Sequence, residues 1–251
     1  MKTTRLKQME HYIGEKGSVT IKELCEHFQI HPNTARSDVQ TLVENGVAEK
    51  KYGKVTASVK IPLEHIDMKP NNNAKEKIGF LAAKLLEEDD IIYMDAGTTV
   101  PMMLTAGTAL PRRLTIVTNS IDTIHWASVH TDYTVFVLPG QVDRRLNSIL
   151  SLETIDSMKS YKINKAFIGI RGVSDNGELL SSSGIDARMK NTVLSMCRDV
   201  FMLADSRKAC ANNAIYSFSS LDRVRTWICD EPTPEVVRLC SKFGVTLITK
   251  E

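Results

Sequence analysis

The 251-residue chain has little cysteine: Cys25, Cys197, Cys210, Cys229 and Cys240 are odd in number, scattered, and without a Cys-x-x-Cys pair. That spacing argues against a disulfide framework and a zinc knuckle, and predicts reduced, mostly buried thiols and no structural metal. Long apolar runs are missing too. No stretch approaches the roughly 18 to 20 residues of a membrane-spanning helix, and residues 1–17 lack the apolar segment of a signal peptide, so a cytoplasmic protein is expected. The compositional bias of a disordered, collagenous or coiled-coil chain is also absent. With 42% hydrophobic and 25% charged residues, the chain reads as a soluble protein holding one large domain or two unequal ones. Net charge is only +2, but residues 1–60 hold ten bases and seven acids, a local +3 that leaves −1 for the rest. This mild asymmetry points weakly to nucleic acid near the N-terminus.

Leu6, Met9 and Ile13 recur at helical spacing, with Gly14 and Gly17 marking the end of a first helix. Thr20 with Glu23 forms a capping box for a second helix of about two turns, carrying Ile21, Leu24, Cys25 and Phe28 on one face. After a break at Gln29-Ile30-His31, Pro32 suits the first position of a third helix, which buries Ala35, Val39, Leu42 and Val43 and stops at Asn45-Gly46. Two helices joined by so short a turn have helix-turn-helix spacing. Asn33, Thr34, Arg36, Ser37 and Gln40 are left on the outer face near the start of the third helix, where such a module enters the major groove. Arg36 is the first candidate for base reading. A hairpin turning at Tyr52-Gly53 carries Lys50, Lys51 and Lys54 and reads as a wing that contacts phosphates. The plainer alternative is a three-helix packing domain with a solvated polar face.

Pro62, Pro70 and Asn71-Asn72-Asn73 give residues 57–74 linker composition, dividing the chain into 1–56, a linker, and 75–251. Beyond it, seven short apolar runs (91–95, 114–118, 133–138, 165–170, 200–205, 226–230 and 245–249) alternate with helical patterns at 75–87, 120–129, 185–197 and 233–243. This predicts a Rossmann-like, mostly parallel α/β domain. Four strand ends are polar or small: Asp95 with Gly97-Thr98-Thr99, Asn119-Ser120, Gly140-Gln141, and Asp205 with Lys208. Carboxyl ends of parallel strands line the ligand crevice, so the four segments should converge. Gly97-Thr98-Thr99 opening a helix offers backbone N–H groups and two hydroxyls to a phosphate, and Lys208 a counter-charge. Taken singly, each has a duller reading: a tight turn, an ordinary helix cap, a solvated lysine.

The two halves together resemble the DeoR family of bacterial transcriptional repressors. The third helix is similar to that family's S-x-x-T-x-R-R-D-L in Thr34, Arg36 and Asp38, with His31 in place of the capping serine and Ser37 in place of the second arginine. The wing departs more, ending Tyr52-Gly53-Lys54-Val55 where the family has His-Gly-Gly-Ala. The second half carries Lys75 with Ile78 and Ala82-Ala83, then Asp95 to Thr99, Thr118 to Ser120, Pro139-Gly140, Lys165 to Gly169, Asp186-Ala187 with Lys190, and Asp205 to Lys208, in the family's order. Gln141 replaces a usual second glycine. The resemblance implies an effector domain related to ribose-5-phosphate isomerase and glucosamine-6-phosphate deaminase folds, taking a phosphorylated sugar. It implies phosphate contacts from Gly97, Thr98, Thr99 and Lys208. Asp95, Asn119, Gly140, Gln141, Asp186 and Asp205 would line the sugar side, with Lys75 and Ser120 at the same site.

The expected function is a transcriptional repressor of a carbohydrate operon that binds double-stranded operator DNA as a homo-oligomer, dimer or tetramer, under control of a sugar phosphate, without a cofactor. A rival is a sugar-phosphate isomerase with an attached helical domain. Aldose-ketose isomerisation needs a carboxylate base, yet no acid stands in 167–173, and Asp175 and Glu178 flank what reads as a surface turn. An RNA-binding winged helix ranks lower, because Tyr52 is the wing's lone aromatic for base stacking.

Overall fold

The computed structural model describes residues 5–6, 8–9, 12–13, 16–44, 48–51, 53–57, 73–211 and 214–249. The chain divides into two compact units, Met1–Leu63 and Glu64–Glu251.

In the first unit, residues 5–6, 8–9, 12–13 and 16 are helical, and Met9 and Ile13 are buried. Gly17 takes a left-handed φ of 70°, so with residue 16 still helical the stop falls here; Gly14 lies outside the described residues. A strand absent from the sequence expectation, β1 (Ser18–Thr20), follows and leads directly into α1 (Ile21–Phe28). The capping box forms as expected: the Glu23 N–H donates to Thr20 Oγ1 at 3.2 Å and the Thr20 N–H to Glu23 Oε2 at 2.6 Å. Gln29 ends α1 in the left-handed region, φ 49°, and α2 (Pro32–Glu44) begins with proline. His31 does the work of the missing serine, its Nδ1 accepting the Asn33 N–H at 3.3 Å. Ala35, Val39 and Leu42 are buried; the expected stop at Asn45-Gly46 lies outside the described residues. β2 (Ala48–Lys51) and β3 (Lys54–Ala57) pair antiparallel with Lys51 opposite Lys54, and β1 adds to β3 on its other edge. Gly53 (φ 76°) serves the turn, and Tyr52 lies outside the described residues. Of the expected linker, 58–72 lies outside the described residues, while Ala57 closes β3 and Asn73 opens the next helix.

In the second unit all seven apolar runs become strands of one parallel sheet. They are β4 (Asp90–Met94), β5 (Leu114–Thr118), β6 (Thr134–Val137), β9 (Lys165–Ile168), β12 (Asp199–Leu203), β14 (Thr226–Ile228) and β15 (Thr246–Ile248), in the spatial order β15-β14-β12-β9-β4-β5-β6. Successive side chains point to opposite faces, and both faces of the inner strands β14, β12, β9, β4 and β5 are largely buried, which is why those runs are continuously apolar, while the edge strands β6 and β15 are partly exposed. On one face Tyr93, Ala166, Ile168, Val200, Met202 and Trp227 meet α5 (Leu152–Met158), α6 (Gly184–Met196) and α7 (Pro234–Phe243). On the other, Ile92, Met94, Ile116, Phe167 and Phe201 meet α3 (Asn73–Ala83), α4 (Ile121–His130) and a 3₁₀ helix, Val100–Thr105. Phe167 and Phe201 stack at 5.0 Å between centroids.

Helix α3 is shorter than the expected 75–87 at its far end because Asp90 Oδ2 accepts the Glu87 N–H at 2.8 Å and turns the chain into β4. A small antiparallel sheet of β10 (Gly172–Val173), β11 (Glu178–Ser181) and β13 (Tyr216–Ser220), a hairpin of β7 (Val142–Asp143) and β8 (Ser148–Ile149), and α5 were not foreseen. Asn176-Gly177 is the surface turn expected, with Gly177 at φ 81° and the Phe243 ring where a Cβ would stand. The cysteines are all free; Cys197, Cys229 and Cys240 are buried, Cys25 and Cys210 half-buried. Among the described residues no helix is long and apolar enough to cross a membrane and no group of side chains could hold a metal.

Candidate functional site

The sheet order reverses between β4 and β9: the chain runs outward through β5 and β6, then returns to the other side of β4. A crevice outside the strand ends is the usual ligand position at such a switch point. Asp95 sits there, fully buried immediately after β4. Its Oδ2 accepts the Gly169 N–H from the end of β9 at 3.0 Å and lies 3.2 Å from Lys190 Nζ; its Oδ1 faces the Tyr93 hydroxyl at 3.2 Å. Lys190 also pairs with Asp186 Oδ1 at 2.5 Å, and Asp186 Oδ2 accepts the Ser181 hydroxyl at 2.6 Å. Lys190 and Asp186 lie one helical turn apart on α6 and face the sheet together. Burial pushes the Asp95 carboxyl up to about 6, partly countered by Lys190, while the two carboxylates hold the Lys190 ammonium up against its own burial. Asp95 and Asp186 are therefore committed to Lys190 at the carboxyl end of β4.

The other expected residues fall at neighbouring strand ends. Gly97 (φ 120°), Thr98 and Thr99 are half-buried after β4. The helix they open is a six-residue 3₁₀ helix, and Thr99 makes no side-chain cap. The expected full helix end, with its dipole, is thus corrected to a tight turn whose contribution is local N–H groups and hydroxyls. Asn119 and Ser120 are fully buried after β5; Ser120 Oγ caps α4 by accepting the Thr123 N–H at 3.2 Å. After β6, Gly140 (φ 144°) lies where a Cβ would run into Thr154 Oγ1, and Gln141 is exposed. Asp205 is buried but its oxygens are taken by the Arg207 N–H at 3.1 Å and the Arg207 guanidinium at 2.9 Å.

Lys208 is half-buried, and its ammonium is held below its ordinary range first by burial, then by repulsion from Arg171, Arg207 and Lys75, with Asp205 opposing. Arg207 is neutralised by Asp205, but among the described residues neither Lys75, Arg171 nor Lys208 has an ion-pair partner. Three cations that make no ion pair, with Asp205 as the one carboxylate acting on Lys208, gather at one end of the sheet, and such a group favours an anion. Arg171 escaped the sequence reading. Its signal is its position directly after the apolar run 165–170, at a strand end like the other four. A separate open cleft of about 460 Å³, lined by Arg198, Asp199 and Arg225, lies at the opposite, amino ends of β12 and β14, with the Arg225–Asp199 pair at 2.5 Å in its wall.

In the first unit, Asn33, Arg36, Ser37 and Gln40 are exposed along α2 and Thr34 is half-buried. Arg36 Nη1 reaches Asn33 Oδ1 at 3.5 Å, and Lys50 on β2 reaches Gln40 Oε1 at 3.4 Å, so wing and helix present one polar face; Lys54 is exposed, and the Lys51 side chain lies outside the described residues. Asp38, though charged, points inward: it is buried and pairs with Arg5 at 2.7 Å, pinning α2 to the leading helix.

This two-part arrangement matches two family models, the DeoR-like helix-turn-helix domain over residues 5–59 and the DeoR C terminal sensor domain over residues 70–231. The chain belongs to the DeoR family of transcriptional regulators. It is 30% identical over 250 residues to the HTH-type transcriptional regulator IolR of Bacillus subtilis, covering 98% of each chain. It is 26% identical to the glycerol-3-phosphate regulon repressor of Escherichia coli, covering 88% of each. To the L-fucose operon activator of Haemophilus influenzae it is 22% identical, covering 94% of this chain and 96% of that one.

Proposed function

We propose that the protein represses a carbohydrate-metabolism operon by binding operator DNA through α2 and the β2–β3 wing as a homodimer or tetramer, and that a phosphorylated sugar controls this binding. The observation that carries the reading is the group Lys75, Arg171 and Lys208, which act on one another without making an ion pair, on the domain whose switch point also carries the Gly97-Thr98-Thr99 turn. A phosphate monoester carries about −1.5 to −2 at neutral pH and suits such a group, while Asn119, Gly140 and Gln141 stand at adjoining strand ends for the sugar. Two recognition helices on repeated half-sites supply affinity and spacing, which favours an even-numbered oligomer. The protein acts as a switch and not as an isomerase, because Asp95 and Asp186 are spent on Lys190 and no free carboxylate faces the crevice from β9. Repression is supported by relatives such as the glycerol-3-phosphate regulon repressor, while the L-fucose operon activator is a relative of the opposite sign.

The test is fluorescence polarisation on labelled DNA from upstream of the protein's own gene, at fixed salt, against scrambled competitor and a panel of sugar phosphates. One sugar phosphate is expected to release the protein, and Lys208→Ala to raise its half-effective concentration at least about tenfold, as loss of a charge-assisted contact would. Equal sugar-phosphate affinity of mutant and wild type in calorimetry would remove the phosphate assignment. Turnover of a sugar phosphate would instead establish the isomerase.

A further inference from the structure

We propose that Asn119, Thr123 and Ser148 form a subsite that reads a hydroxyl of the effector beneath the β7–β8 hairpin, an inference that rests on the sugar-phosphate reading above. All three residues are fully buried, and Asn119 Nδ2, Thr123 Oγ1 and Ser148 Oγ have no hydrogen-bond partner among the described residues. They belong to three elements joined to one another through the backbone. Asn119 follows β5, Thr123 is in the first turn of α4, and Ser148 on β8 bridges Ser120. The hairpin is held there by the Ile149 N–H donating to the Asn119 carbonyl at 2.8 Å and the Ile121 N–H to the Asn147 carbonyl at 3.2 Å.

Buried polar atoms without partners are rare and destabilising, and alanine or valine would serve the packing better, so a cluster of three points to a ligand that satisfies them. The chemistry is selective. One amide N–H₂ and two hydroxyls, with no cation among them to balance a phosphate, suit a hydroxyl or carbonyl oxygen of the sugar. Beside them, the Tyr93 hydroxyl lies 2.9 Å from Asn119 Oδ1 and 3.2 Å from Asp95 Oδ1, linking the subsite to Asp95. β5 neighbours β4, and adjacent strands lie about 5 Å apart, so the phosphate turn after β4 and this subsite after β5 are within the span of one small sugar phosphate.

The hairpin is also the element that must move to admit the ligand. β7 and β8 share only two residue pairs, Val142–Ile149 and Asp143–Ser148. The tip is tied down by an exposed bond from Arg145 Nη1 to Ser182 Oγ at 3.2 Å, in the loop that leads into α6. Closing over a sugar hydroxyl satisfies three atoms that closing over nothing leaves unpaired. That difference between states is what a ligand needs to shift a conformational equilibrium.

The test uses the full chain, calorimetry and thermal melting, with inorganic phosphate, ribose 5-phosphate, glucose 6-phosphate, fructose 6-phosphate and glycerol 3-phosphate as probes. Thr123→Val and Ser148→Ala remove the hydroxyls at nearly constant shape. For an ester that the wild type binds, each variant is expected to lower the ratio of ester affinity to inorganic-phosphate affinity by about tenfold. Each is also expected to raise the melting temperature of the unliganded protein, because an unpaired buried hydroxyl has gone. An unchanged ratio overturns the subsite and leaves the sugar-phosphate reading standing. Absence of binding of any ester by the wild type overturns that reading and the subsite with it. Lower melting temperatures in both variants overturn the subsite whatever the binding result, since the hydroxyls would then be paired in the folded protein.

Discussion

Replacing Lys190 with methionine keeps most of the side-chain volume and removes the ammonium that Asp95 and Asp186 share, at 3.2 and 2.5 Å. Solvent barely reaches any of the three groups, so water cannot stand in for it. Deleting one partner of a buried ion pair costs about 3–5 kcal/mol, because an uncompensated charge is left at low dielectric. Here the orphaned carboxyls can take up a proton, which limits the loss, and we expect about 3 kcal/mol at pH 7.5. The pH dependence has a definite sign. Burial already holds Asp95 up at about 6, and without Lys190 it rises further. A carboxyl whose folded-state pKa exceeds its unfolded value favours the folded state at low pH and loses that contribution as pH rises through the folded pKa. The deficit of Lys190→Met against wild type should therefore shrink from pH 8 towards pH 5. Urea denaturation followed by tryptophan fluorescence reports on this unit, since Trp126 and Trp227, the chain's two tryptophans, both lie in it. A variant within about 1 kcal/mol of wild type at pH 7.5, or a deficit that grows on acidification, would refute the reasoning.

Three further outcomes are expected. Arg36→Ala should weaken operator binding by about 1–3 kcal/mol and relax discrimination at one base pair, as loss of a bidentate base contact does; unchanged discrimination against scrambled DNA would rule out base reading by Arg36. Thr20→Ala removes one half of the α1 capping box and should cost the first unit about 1 kcal/mol in thermal or urea unfolding, with Thr20→Ser largely restoring it. Gly140→Ala places a Cβ against Thr154 Oγ1 and Ser151 Oγ at a φ open to glycine, and about 2–3 kcal/mol of destabilisation is expected; wild-type stability would mean that this turn is softer than its packing implies.

What the sequence determined by itself is what short-range physics controls. The capping box of α1, proline at the start of α2 and the buried Ala35-Val39-Leu42 stripe depend on residues three or four apart, and each stands as expected. The inner strands were legible because a parallel strand buried on both faces must be apolar throughout, and that pattern is visible without knowing its neighbours; the edge strands β6 and β15 are as apolar though partly exposed. The strands of the small antiparallel sheet and the β7–β8 hairpin are too short and mixed to show such periodicity. Strand-end residues could be placed at a crevice by rule, but their partners could not. Asp95 and Lys190 are remote in sequence and became an ion pair only because α6 packs across the carboxyl end of β4. The same holds for Gly79, whose missing Cβ lets α3 approach the Met102 backbone to within 2.6 Å of where that atom would stand. Asp38 is charged yet buried, because Arg5, remote in sequence, packs against it. Charge type and local periodicity are properties of the chain, whereas which buried charges neutralise one another, and which polar atoms are left for a ligand, depend on contacts that tertiary packing alone creates.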